Sequence, residues 1–142
     1  MEKLLVSACL LGCRCRYDGG DCGSERVLAL RDKYDMIPIC PEQMGGLTTP
    51  RLPSEINGDR VIMKDGTDVT DAFYAGANAA LYLAKTLGAK KALLKAKSPS
   101  CGKGLIYDGT FTGGKTAGNG VTAALLMDNG VSVYTEDETD IL

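Results

Sequence analysis

Six cysteines, at positions 9, 13, 15, 22, 40 and 101, and the absence of any histidine define the chemistry open to this chain of 142 residues. Histidine is the usual neutral-pH base and the commonest nitrogen ligand for metals. Without it, acid–base work falls to carboxylates, Lys, Tyr, Ser or Cys. The bland reading of a free cysteine is a small buried hydrophobe, which suits one or two of these residues but not their surroundings. Cys13, Cys15 and Cys22 stand among Arg, Asp and Gly, and Cys101 lies in Ser98-Pro99-Ser100-Cys101-Gly102. Metal or cluster binding is therefore preferred, with reactive or buried thiols as the alternatives.

The ligand type narrows the metal. Structural zinc sites use paired cysteines two to four residues apart, often completed by histidine. Cys9, Cys13 and Cys15 offer only a crowded, half-fitting version of that pattern, and the Cys-x-x-Cys step of redox dithiols and many cluster proteins is missing. An all-thiolate set is what soft iron–sulfur clusters prefer. Three ligands rather than four would leave one iron open to a substrate, as catalytic zinc keeps an open position.

A second motif fits its usual context poorly. Gly109 to Thr116 satisfies the phosphate-loop pattern G-x-x-x-x-G-K-S/T. In such loops a helix starts at the lysine so that its amides face the phosphates. Here Ala117-Gly118-Asn119-Gly120 follows, glycine-rich where a helix should be running. A flexible loop near the site is the simpler reading. The net charge of −2 and the eight aromatics, with no basic stripe between them, give no support for a nucleic-acid partner.

These side chains need a frame to bring them together. Residues 3–8 are a short apolar run suited to a buried strand. Val6-Ser7-Ala8-Cys9 looks like a lipoprotein cleavage box, but the apolar stretch before it is shorter than the roughly 7–15 residues a signal needs. No segment approaches the roughly 18 apolar residues of a membrane span, so a soluble, cytoplasmic protein with reduced thiols is expected. Ser24 can cap a helix to about residue 34. Residues 36–40 read as a second strand, edge or bulged at Pro38, and residues 41–58 as a long irregular loop. Residues 60–63 suggest a small strand. Apolar and small residues at 72, 73, 76, 79, 80, 83, 84 and 87 make one stripe of a helix over 70–87, ended by Gly88.

Residues 92–94 follow as a third parallel strand. A hairpin turns at Asp108-Gly109 between 105–107 and Phe111. A helix to Asn129 and a strand at 131–134 complete the chain. This alternation predicts one α/β domain over 1–142, a Rossmann-like three-layer sandwich with a mainly parallel sheet and helices on both faces. Ligands in such sheets bind beyond the carboxyl ends of the strands. Cys9 follows the first strand, Cys40 ends the second and Cys101 lies in the loop after the third, so topology alone delivers these three to one edge.

The residues also resemble a known family. Val6-Ser7-Ala8-Cys9-Leu10-Leu11-Gly12 with Cys15-Arg16-Tyr17-Asp18-Gly19 is similar to the opening signature of a bacterial family long labelled a domain of unknown function. Cys40-Pro41-Glu42, Gly45-Gly46-Leu47, Pro50-Arg51 and Glu55-Ile56 resemble its second signature. Lys97-Ser98-Pro99-Ser100-Cys101-Gly102 and Tyr107-Asp108-Gly109-Thr110-Phe111 resemble its third and fourth. The likeness runs from about residue 4 to 134. Characterised members are thiouracil desulfidases that hold a 4Fe–4S cluster on three cysteines and remove sulfur from 2-thiouracil without net redox change.

The resemblance implies cluster ligands Cys9, Cys40 and Cys101, working roles for Glu42 and Ser98, and a small thionated nucleobase as partner. An open iron would take the thione sulfur and polarise its carbon, and Glu42, two residues from Cys40, is the natural base for the water that adds. Ser98 would hydrogen-bond substrate or relay a proton, its plainer role being to shape the Ser-Pro turn. Solvated surface charge is the default for Arg16 and Arg51. Cys13, Cys15 and Cys22 are extra thiols. The alternatives are a non-catalytic module that stores or senses a cluster or metal, and the phosphate-loop nucleotide binder.

Overall fold

Leu4, Leu5 and Val6 are consecutive apolar residues with no polar alternation, the pattern of a strand covered on both faces. A computed structural model describing residues 1–142 places them in the middle of β1 (Glu2–Ser7), fully buried. A 3₁₀ turn at Ala8–Leu11 follows, then α1 (Glu25–Leu28), β2 (Tyr34–Ile39), α2 (Pro41–Met44), β3 (Ser54–Asn57) and β4 (Arg60–Met63). The second half runs α3 (Thr70–Leu87), β5 (Lys91–Leu94), β6 (Leu105–Tyr107), β7 (Lys115–Ala117), α4 (Val121–Asp128) and β8 (Ser132–Thr135).

Four strands form one parallel sheet in the order β2-β1-β5-β8. Leu5 stands beside Ile37 on one side and Ala92 on the other. Alternate side chains go to opposite faces. Leu5, Ala92, Leu94 and Val133 pack with Ala80 and Ala84 of α3 and with Ala123 and Leu126 of α4. Leu4, Val6 and Leu93 pack on the other face with Val27 of α1 and with Leu142. The expected three layers are present, and Pro38 lies on an edge strand, where its missing N–H costs nothing. No helix is long and apolar enough to cross a membrane.

The helix expected over 70–87 is α3, and Gly88 ends it in the left-handed conformation (φ +72°). Its small residues permit close approach. A Cβ on Gly76 would lie 1.8 Å from the Pro41 carbonyl oxygen, and one on Gly45 would lie 2.0 Å from that of Ala72. The backbone of α2 is thereby pressed against α3, which fixes the segment carrying Cys40 and Glu42.

Three local expectations are corrected. Residues 41–58 are not irregular throughout: they contain α2, opened by Pro41 at its first turn, and β3, which pairs antiparallel with β4. The helix after Ser24 is only one turn, continued as 3₁₀ at Ala29–Asp32, because Tyr34 is taken by β2, paired with Glu2. The hairpin partner of β6 is β7, not Phe111, so the connection spans 108–114. Lys115 therefore lies on a strand, donating to the Gly113 carbonyl, and no helix begins at it. This is not a phosphate loop.

Candidate active site

Each of the three strand ends places one thiol. Cys9 sits on the 3₁₀ turn that leaves β1, a turn closed by Gly12 at φ +96°. Cys40 follows β2 directly as the N-cap residue of α2. Cys101 lies after β5 in a loop organised by Ser98, whose Oγ accepts hydrogen bonds from the Ser100 and Cys101 amides, both at 3.0 Å. The same loop is tied to α4 by a 3.0 Å bond between the buried hydroxyls of Ser100 and Thr122.

All three thiols line one cavity of about 520 Å³ at the carboxyl edge of the sheet, together with Cys15 and Cys22. Glu42 and Ser98 line it as well. Every cysteine is free, and the sixth, Cys13, is exposed and stands outside the cavity. One buried hydroxyl in the wall, Ser54 Oγ, has no hydrogen-bond partner.

The crowding of sulfur has an electrostatic signature. Burial raises the Cys9 thiol far above the ordinary range, and the neighbouring sulfurs of Cys101, Cys15, Cys22 and Cys40 raise it further. Cys101 is pushed up to about 11, first by burial, with hydrogen bonds from Ser7 and Ser100 opposing and Glu42 and Cys40 adding. Cys15 is pushed up to about 12 by burial and by Cys40. Such thiols lose their protons readily only to a cation or cluster that shares the charge. No three Cys, Asp or Glu side chains converge closely enough to chelate a single metal ion. A cluster binds each thiolate to a different iron and so needs wider spacing. An all-sulfur set from three separate loops fits it.

Arg51 corrects the expectation of a solvated charge. Its side chain is 3% exposed and ties three segments together. Nε pairs with Glu42 Oε1 at 3.1 Å, Nη2 donates to the Cys15 carbonyl at 2.9 Å, and Nη1 donates to the Thr48 carbonyl and Thr49 Oγ1. Arg16 is also engaged, donating from Nη1 to Cys22 Sγ at 3.0 Å. Ser98 performs its plainer turn-shaping role while also facing the cavity.

Two further residues, Lys95 and the signature residue Glu55, had no role assigned from the sequence. Lys95 lines the cavity and pairs with Glu136 at 2.8 Å, while Glu136 also accepts from the Ala96 amide. Buried Glu55 accepts from the amides of Gly109 and Phe111. Residue type alone does not reveal these contacts: Glu55 reaches amides 54 and 56 residues away, Lys95 pairs with Glu136, and Arg51 reaches the Cys15 carbonyl 36 residues away.

Known proteins resemble this chain over nearly its whole length. A relative from Bacillus subtilis (strain 168), the uncharacterized protein YbbK, is 44% identical over 150 residues, covering 98% of this chain and 99% of its own. A solved structure, described as the 4Fe–4S-dependent thiouracil desulfidase TudS, superposes with a TM-score of 0.95 at 47% identity, over 100% of this chain and 95% of that one. Residues 4–138 match the family described as 2-thiouracil desulfurase, and the chain belongs to that family.

Proposed function

We propose that this protein is an iron–sulfur-dependent desulfidase that replaces the sulfur of a thionated pyrimidine such as 2-thiouracil with oxygen from water and releases sulfide. The observation that carries this reading is the convergence of Cys9, Cys40, Cys101 and Glu42 on one cavity from three strand ends. In it, Cys9, Cys40 and Cys101 hold a 4Fe–4S cluster. Bound on three thiolates, that cluster supplies an iron free to bind the thione sulfur and polarise its carbon.

The remaining work belongs to side chains. Glu42 has one carboxylate oxygen fixed by Arg51, leaving the other to accept from a water and take its proton as that water adds to the carbon. Ser98 Oγ already accepts from two amides, so its own proton is the free partner, available to the substrate ring or the departing sulfur. Water in and sulfide out balance without electron transfer. The six free thiols suit a reducing compartment, and the cytoplasm is the location we assign.

Anaerobically reconstituted protein should contain iron and labile sulfide and release sulfide from 2-thiouracil with formation of uracil. Iron-loaded protein that turns over no thioamide would overturn the catalytic reading and leave a cluster-storing or sensing module, to which the spare cavity thiols Cys15 and Cys22 would then belong.

A further inference from the structure

We propose that Phe111 is the stacking wall for the planar ring of the substrate, held in place by the buried carboxylate of Glu55. The proposal rests on the reading of the substrate as a thionated pyrimidine and adds the residue that recognises its ring. Phe111 has φ +58°, one of only two non-glycine residues with positive φ. A bulky side chain is strained in that region, and such strain persists only where the surroundings over-determine it. Here Glu55 supplies the determination. It is 8% exposed and accepts from the Gly109 amide at 2.9 Å and the Phe111 amide at 3.1 Å through the same oxygen. Gly109, at φ +92°, comes so close to β3 that a Cβ there would lie 2.7 Å from the Ile56 carbonyl oxygen. A buried carboxylate and a tight backbone approach are thus devoted to one polar loop, and what that loop brings to the cavity is an aromatic residue.

Phe111 is also the aromatic best suited to a base. Three aromatic residues line the cavity: Tyr17, Tyr107 and Phe111. Tyr17 carries the Arg16 guanidinium over its ring at 5.6 Å, and Tyr107 carries the Lys115 ammonium at 5.5 Å. The Phe111 ring has no cation over it. The other phenylalanine, Phe73, is fully buried in the core. A planar heteroaromatic ring stacks on an aromatic face with little regard to its substituents. The same wall therefore serves thionated substrate and oxo product.

The test uses reconstituted holoprotein and two readouts, steady-state kinetics on 2-thiouracil and equilibrium dialysis of uracil. F111L keeps an apolar side chain and removes the face. It is expected to raise KM for 2-thiouracil and the Kd for uracil about tenfold, with the loss in KM and not in kcat. F111Y, which keeps the face, is expected to restore both to within about twofold of the parent. E55A, which frees the loop, should shift both constants in the direction of F111L with parental iron content. If E55A fails to fold, the F111L and F111Y pair decides the matter. F111L with parental iron, KM and uracil affinity overturns the proposal. If the parent binds uracil and F111L does not, yet neither releases sulfide, the stacking wall stands and the desulfidase reading falls. Sulfide release with the same KM in parent and F111L has the opposite meaning.

Discussion

Replacing Arg51 by alanine removes a guanidinium that is 3% exposed and leaves Glu42, 18% exposed, without its partner. It also strips a donor from the carbonyls of Cys15 and Thr48. Removing one member of a buried ion pair costs about 3–5 kcal/mol. Glu42 recovers part of this by turning toward water, which brings the expected loss to about 2–3 kcal/mol. With a urea slope of about 2 kcal/mol/M, the unfolding midpoint should fall by about 1–1.5 M. R51K keeps a positive charge but replaces the planar fork by a single point, so it should lose about half as much. The measurement is urea unfolding of reduced, iron-free protein followed by far-ultraviolet circular dichroism. It isolates the clamp from any effect of a cluster. A midpoint for R51A within about 0.2 M of the parent would mean that the guanidinium is solvated after all. The inference from its four contacts would then be wrong.

Other perturbations test the remaining parts. C9S, C40S and C101S should each lose most of the iron and labile sulfide after anaerobic reconstitution, whereas C13S, whose thiol is exposed outside the cavity, should match the parent. E42Q should load iron normally yet lose about 10²–10⁴ in kcat, the range for removal of a general base; undiminished turnover would assign the proton to another group. G76A places a methyl 1.8 Å from the Pro41 carbonyl. Overpacking of this kind costs about 1–3 kcal/mol, so Tm should fall by about 3–10 °C by calorimetry. Iron occupancy should fall with it, because α2 follows Cys40 directly.

The elements that were legible in the sequence are those with enough apolar residues to show a continuous run or a period. The run at 3–8, the stripe of α3 with its glycine stop, and the apolar triplet in β5 each declare themselves, and topology then carries Cys9, Cys40 and Cys101 to one edge. What stayed hidden has no period to show. Four residues of α2 make barely one turn, and β7 is Lys-Thr-Ala, fully exposed and without an apolar face. Tyr34 suited either the end of a helix or the start of a strand, and its pairing with Glu2 settled it. The Arg51 bond to the Cys15 carbonyl and the strut of Glu55 reach backbone groups far along the chain. A main-chain carbonyl or amide leaves no mark on residue type, so pattern reading cannot find such partners.

The hairpins β3–β4 and β6–β7 share no strand pairing with the four-stranded sheet. The register of one sheet thus sets the thiols, while a hairpin outside it, joined to the Cys101 segment by the Lys97–Ile106 bridge, presents Phe111. A longer or shorter 108–114 segment alters the shape of the guest that can enter without disturbing the register that sets the thiols.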